Sequence, residues 1–283
     1  MTVKTALAQG AKLLEEAAVP VPRLTAEVLL CHALQREKSY LYAHPEASLS
    51  ELAWIHYGRY LHERMKGKPT QYITHRQEFY GRMFRVTADV LIPRPETEHL
   101  VEAALEFHAD RVLDIGCGSG AIAISISCES GAAVWATDIS TKALSVAREN
   151  AERLGARIHF AAADLGACFE SRSFNLIVSN PPYISTHDAE EMQREVRDWE
   201  PHVALFAGES GNEIYSRIVQ CAERLLIPGG HLVFELGYRS AHAVQAMLGP
   251  RWRNVKLKPD LAGIDRVLAA QLIAPTEPGR DCN

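Results

Sequence analysis

The sequence predicts an α/β protein whose main body is a mostly parallel, seven-stranded sheet with an antiparallel edge hairpin. A small helical bundle and a linking β-hairpin precede it. Three observations carry this expectation. After Glu98, short apolar runs alternate with helical stretches, as in a parallel sheet covered by helices on both faces. The first 70 or so residues hold apolar positions at helical spacing only. Between these regions, Gln71 to Val86 turns aromatic and β-branched, with Gly81 as a turn.

Taken in order, Thr5 to Ala17 carries Leu7, Ala11, Leu14 and Ala18 at helical spacing, and Val19-Pro20-Val21-Pro22 ends that helix. Leu24 to Leu34 repeats the pattern. Ser48-Leu49-Ser50-Glu51 reads as a capping box opening a helix that runs towards Met65, and Gly67-Lys68-Pro69 stops it. Gln71-Tyr72-Ile73, Glu78-Phe79-Tyr80 and Met83 to Val86 read as strands. Further strands are expected at 111–115, 134–138, 158–161, 174–179, 231–235, 255–258 and 266–271, with helices at about 119–128, 140–154, 211–226 and 238–248. The last two strands lie too close for a crossover helix and should pair antiparallel. These readings divide the chain into a helical domain at 1–70, a hairpin linker at 71–90 and an α/β domain at 91–283. The polar tail from Pro275 to Asn283 is expected to fray.

Hydrophobic residues make up 47% and charged residues 23%, enough apolar content for a real core. Six cysteines form no CxxC pair and no ligand spacing with histidine, which argues for reduced thiols rather than a disulfide framework or a metal centre. No apolar run approaches membrane-spanning length and Met1-Thr2-Val3-Lys4 lacks a signal-peptide core, so a cytoplasmic protein without a membrane partner is expected. A monomer is expected, although no residue pattern fixes the oligomeric state. Net charge is −5, yet residues 52–85 hold seven Lys/Arg against Glu63 and Glu78. That band either grips phosphates or an acidic partner, or is a solvated helix face. The acidic remainder argues against an extended nucleic-acid channel.

Two loops carry the chemistry. Asp114-Ile115-Gly116-Cys117-Gly118-Ser119-Gly120 lies where a strand turns into a helix, and its glycines let a ligand approach the backbone. Gly116, Gly118 and Ala121 also satisfy a dinucleotide fingerprint. Asp114 favours S-adenosyl-L-methionine over a dinucleotide, because an anion there repels a pyrophosphate and attracts the ammonium of an amino acid. Asp138, at the end of the next strand, is placed to accept ribose hydroxyls. Asp164 is a candidate for the adenine amino group, or an ordinary loop or cap residue.

The second loop is Asn180-Pro181-Pro182-Tyr183, after the apolar run 174–179. Two prolines without N–H groups stiffen the chain as it leaves the sheet. The Asn180 amide and Pro181 carbonyl then stand as adjacent acceptors that suit a planar –NH2 group, with the Tyr183 ring to cover it. An amide or exocyclic amine is the matching nucleophile.

These motifs together resemble class I S-adenosylmethionine-dependent methyltransferases, with their Rossmann-like sheet. Gln71-Tyr72-Ile73, Phe79-Tyr80-Gly81, Leu91-Ile92-Pro93-Arg94-Pro95-Glu96-Thr97-Glu98 and Gly263 to Val267 narrow the resemblance to the HemK/PrmC family of peptide-chain release factor glutamine methyltransferases. The resemblance implies methyl transfer to the side-chain amide of the glutamine in the Gly-Gly-Gln loop of class 1 release factors, with S-adenosyl-L-homocysteine as product. It implies that Gly116, Cys117, Gly118, Ser119, Gly120 and Asp138 hold the cofactor, with Asp164, Leu165 and Asn180 beside it. By the same resemblance Asn180, Pro181, Pro182 and Tyr183 hold the glutamine, and Leu91 or Ile92 lines its pocket. Leu165 stands where members often carry an aromatic residue. Arg94, Glu96 and Glu98 either brace the loop over the pocket or simply open a helix. A DNA or RNA amino methyltransferase remains the alternative, since adenine and cytosine amines offer the same two donors. A nicotinamide dehydrogenase and a non-catalytic protein with a vestigial pocket are the further rivals.

Overall fold

The computed structural model describes residues 1–190 and 192–274; the tail expected to fray lies outside them. The chain divides into two compact units. The first comprises Met1–Arg76 and also Met192–Trp199, a segment that the sequence reading places with the catalytic domain; the second holds the rest of the described chain.

The first unit is built from the helices Val3–Glu16, Pro22–Leu34, Lys38–Ala43, Glu51–Met65, Thr70–Thr74 and Arg194–Trp199. Leu7, Leu14, Leu29, Leu30, Tyr57 and Leu61 form its interior. The fourth helix is capped by Ser50, whose hydroxyl accepts the Ala53 N–H, and not by a box from Ser48. Ser48 instead pairs with Thr2 in an isolated bridge. The expected strand at Gln71-Tyr72-Ile73 is helical, because the Pro69 carbonyl accepts the N–H groups of Tyr72 and Ile73 and closes a turn there. Both side chains are buried, so packing overrides their strand-prone composition. The helices Lys38–Ala43 and Arg194–Trp199 are six residues each, too short to show a period.

In the second unit, apart from Arg76, β1 (Arg76–Phe79) and β2 (Arg82–Arg85) form the expected hairpin. Its turn places Tyr80 and Gly81 both at positive φ, the geometry that matches strand twist. There follow β3 (Arg111–Ile115), β4 (Ala133–Asp138), β5 (Ile158–Ala162), β6 (Phe174–Ser179), β7 (Ile184–Ser185), β8 (Phe206–Gly208), β9 (Leu226–Glu235), β10 (Trp252–Pro259) and β11 (Asp265–Leu272). Seven of these make one sheet in the order β10-β11-β9-β6-β3-β4-β5. Its pairs are parallel except β9 with β11 and β11 with β10, which is the seven-stranded sheet with an antiparallel edge that the sequence predicts. The short β7 and β8 pair separately.

Alternation along β3 explains the two layers. Val112 joins a core with helices Glu98–Leu105, Ala121–Glu129 and Thr141–Leu154, whereas Leu113 joins a core with Glu213–Leu225 and Ala241–Ala246. From β3 the chain first builds outward through β4 and β5, then returns to the other side of β3 with β6. Open α/β sheets bind ligands at the carboxyl ends of the strands at such a reversal. Register brings the two chemical loops together there. Asp114 pairs with Val178, and the Ser179 hydroxyl donates to the Ile115 carbonyl at 2.7 Å, so the loops after β3 and β6 start side by side. Ser179 also pairs with Phe234, which sets Asn180 next to Glu235.

Candidate active site

The glycine loop leaves β3 by hanging on its neighbour. The N–H groups of Gly116 and Cys117 both donate to the Thr137 carbonyl at 2.9 Å. Gly116 and Gly118 take φ of 76° and 53°, and a methyl group built on either meets nothing within 4 Å. Their missing side chains therefore leave open space above the strand ends. Asp138 closes the loop from β4: its Oδ2 accepts the Gly118 N–H at 2.9 Å and its Oδ1 accepts the Ser140 N–H at 2.8 Å. Each oxygen keeps a lone pair for a ligand hydroxyl.

Asp114 is fully buried. Its Oδ2 accepts the Ala123 N–H at 3.1 Å, while Oδ1 has no partner. Burial pushes its carboxyl up to about 7, with Asp138 adding to the rise. A buried acceptor without a donor, beside an open glycine cradle, fits a cationic amino-acid group or a water attached to one. Cys117 and Ser119 are themselves buried, and burial drives the Cys117 thiol well up.

Sequence reasoning missed Asn150. This fully buried side chain accepts the Arg85 N–H at 2.7 Å and donates to the carbonyls of Arg85 and Ser119 at 2.9 and 3.0 Å. It ties the hairpin to the glycine loop. An asparagine inside an amphipathic helix is the only signal that pointed to it.

Asp164 is exposed and ion-pairs with Arg217 at 2.6 Å. Leu165 takes φ of 52°, a strained value for leucine, and packs against the core that contains Leu113 and Ile115.

On the other loop, Asn180 Nδ2 donates to the Thr97 hydroxyl at 3.1 Å. Pro181 is buried, and Pro182 and Tyr183 are half-buried. The Tyr183 ring lies against Gly237, where a Cβ would stand 2.7 Å from Tyr183 Cδ2, so a glycine there is a steric requirement. Burial, and then Glu235, pushes the Tyr183 hydroxyl up to about 12. Leu91 is half-buried and Ile92 is buried. Their loop is held by Glu200, which accepts the Ile92 N–H at 3.3 Å and pairs with Arg94. Glu98 accepts the Tyr80 N–H at 2.8 Å, so it braces the hairpin turn while opening its helix. Glu235, 3% exposed, closes β9 beside Asn180 and was also missed. Like Asp114 and Asp138, it ends an apolar run at a strand's carboxyl end, and that signal was available.

The basic band is largely spent within the chain. Arg59 and Lys68 pair with Glu63, the buried Arg64 pairs with Glu195, and Arg82 and Arg85 pair with Glu129 and Glu149. Two cavities of about 440 and 400 Å³ lie by the amino ends of the strands, around Asp110, Glu129 and Gly131 and around Arg157 and His159, at the opposite end of the sheet from both loops. Among the described residues, no helix is long and apolar enough to cross a membrane.

The sheet order, the glycine cradle at its switch point and the adjoining Asn180 loop define a Rossmann-like methyltransferase. A crystal structure of a methyltransferase from Pyrococcus furiosus shares this fold, with a TM-score of 0.54 at 16% identity over 69% of this chain and 91% of that one. Two family models match, "PrmC N-terminal domain" over residues 5–74 and "Methyltransferase small domain" over residues 95–197. The release factor glutamine methyltransferase of Koribacter versatilis is 44% identical over 277 residues, 96% of this chain and 99% of that protein. Those of Nitratidesulfovibrio vulgaris and Bordetella pertussis are 38% and 42% identical, covering 95% and 89% of this chain and 95% and 96% of their own lengths. The chain belongs to the release factor glutamine methyltransferase family.

Proposed function

We propose that this enzyme methylates the side-chain amide nitrogen of the glutamine in the Gly-Gly-Gln loop of class 1 peptide-chain release factors. The donor is S-adenosyl-L-methionine and the product S-adenosyl-L-homocysteine. The observation that carries the substrate is likeness along almost the whole chain, 44% identity over 96% of it, to a protein bearing that name. A likeness limited to the Rossmann-like domain would leave the substrate open.

When bound, the sulfonium cofactor supplies an electrophilic methyl group. The glycine cradle and the second lone pairs of Asp138 suit its nucleoside, and the unpartnered Asp114 Oδ1 suits its ammonium. Asp164 and Leu165 flank that nucleoside after β5. Asp164 is engaged by Arg217, so an adenine contact requires it to share or exchange that partner.

An amide nitrogen is a poor nucleophile, so orientation supplies much of the catalysis. Asn180 Oδ1 and the Pro181 carbonyl accept the two N–H groups of the glutamine and aim its nitrogen. The same acceptors stabilise positive charge as the N–C bond forms. Tyr183, backed by Gly237, excludes water from the amide's face, and Leu91 contributes an apolar wall. Once alkylated, the nitrogen is acidic and loses its proton without a dedicated base. The helical unit at the amino end recognises the release factor.

The decisive experiment is mass spectrometry of an unmodified class 1 release factor incubated with this enzyme and S-adenosyl-L-methionine, with DNA and ribosomal RNA as competing substrates. A single added methyl on the Gly-Gly-Gln glutamine is expected. Methylated nucleic acid with unchanged release factor would overturn the assignment.

A further inference from the structure

We infer that Thr97 and Glu235 are positioning residues for this reaction: they set which way round the Asn180 carboxamide stands, so that Oδ1 faces the amide to be methylated. The inference rests on the proposed role of Asn180 as acceptor and extends it to groups that do not touch the substrate.

A carboxamide is nearly symmetric in shape, and only neighbouring donors and acceptors decide which end is oxygen. Thr97 is 4% exposed and receives Asn180 Nδ2 at 3.1 Å. Taken alone, a hydroxyl does not choose, because it donates to Oδ1 as readily as it accepts from Nδ2. Glu235 breaks the tie. It stands next to Asn180 by strand register, is 3% exposed, and its Oε2 has no partner. Thr97 and Asn180 both hydrogen-bond to Glu235. An ionised carboxylate only accepts, so it draws the single Thr97 hydroxyl proton, leaves Thr97 a pure acceptor towards Asn180 and itself favours the amide's N–H side. The carboxamide must then present its NH2 to Thr97 and its oxygen elsewhere. Once protonated, Glu235 donates to Thr97 instead, the hydroxyl proton is released towards Asn180, and the flipped amide becomes equally good.

Burial raises the Glu235 carboxyl to about 7, so this exchange falls within a working pH range. The groups facing it are Thr97 and Glu96 from the turn before Glu98–Leu105, Asn180 and Tyr183 after β6, Arg266 on β11 and Tyr215 from Glu213–Leu225. Thr97, Arg266 and Asn180 oppose the rise and Glu96 adds to it.

The test combines kinetics with a readout independent of turnover. In the wild type, kcat at saturating cofactor should fall as pH drops through about 7. E235Q should lower kcat roughly tenfold and abolish that limb, since a glutamine both donates and accepts at every pH. T97V should lower kcat similarly with cofactor affinity unchanged, and T97S should restore most of it, which separates the hydroxyl from any loss of fold. By nuclear magnetic resonance, the Asn180 side-chain nitrogen should titrate near pH 7 in the wild type and stay flat in E235Q. If N180A loses turnover while T97V and E235Q keep more than half of it, or if the Asn180 resonance does not titrate in the wild type, the inference is overturned and the role of Asn180 stands. If N180A itself turns over normally, the reading of the acceptor falls, and this inference falls with it.

Discussion

Asp138 Oδ2 accepts the Gly118 N–H at 2.9 Å, so the residue placed to receive ribose also holds the glycine loop in shape. Its other oxygen takes the Ser140 N–H, at the start of helix Thr141–Leu154. Asp138→Ala should therefore weaken binding of S-adenosyl-L-homocysteine twice over, by removing a ligand contact and by freeing the loop. A loss of ten- to a hundredfold in affinity is expected, on the order of 1.4–2.8 kcal/mol. Isothermal titration calorimetry measures it, and unchanged affinity would count against the ribose assignment.

Asn180→Ala separates the two halves of the site. The glycine loop and Asp138 remain, so cofactor affinity should stay within about twofold of wild type. Methyl transfer should drop by about a hundred- to a thousandfold, the usual consequence of deleting one preorganised polar contact to a transition state. Single-turnover assays on release factor provide the number. Near-normal turnover would refute the acceptor role.

Asn150→Ala tests the link between hairpin and cofactor loop. The variant leaves the Arg85 N–H and the carbonyls of Arg85 and Ser119 without their partner in a buried place. Unsatisfied buried groups cost about 1–3 kcal/mol each, so the urea midpoint of unfolding should fall clearly. Cofactor affinity should fall with it, because Asn150 also holds the Ser119 carbonyl of the glycine loop. A variant as stable as wild type would show that water replaces the side chain without loss.

Stability should depend on pH through Asp114 and Glu235. Both are acids whose folded values are raised, from 3.8 and 4.5 to about 7. Between those limits the folded chain keeps protons that the unfolded chain has released. The stability they contribute is complete below the unfolded values and is lost as pH rises through about 7. Denaturant midpoints for the cofactor-free protein should thus fall from pH 5 to pH 8. Asp114→Asn should flatten part of that slope and raise stability at pH 8 by a few kcal/mol at most, roughly 1.4 per unit of pKa shift removed. An unaltered slope in Asp114→Asn would mean that its carboxyl is not the titrating group.

The parts that were legible in the sequence are those specified by neighbours in the chain. Arg111–Ile115 and Phe174–Ser179 lie at the expected residues, since a short apolar run bounded by turn residues marks its own ends. Gly116, Asp138 and Asn180 stood out as candidates because each lies where a strand ends, and strand ends at a chain reversal are where α/β sheets place ligands. Gln71-Tyr72-Ile73 was misleading for the opposite reason: three residues carry too little pattern to outweigh a proline cap and burial.

By itself the sequence determined the order of elements, the parallel sheet and the two loops proposed to carry the chemistry, because periodicity and turn chemistry act over a few residues. Only the tertiary structure decided which side chains hold those loops in place. Thr97 meets Asn180 across 83 residues of chain and Asn150 meets Arg85 across 65. Such partners are chosen by strand register and by the need to satisfy every buried polar group, and neither leaves a mark on the residues nearby.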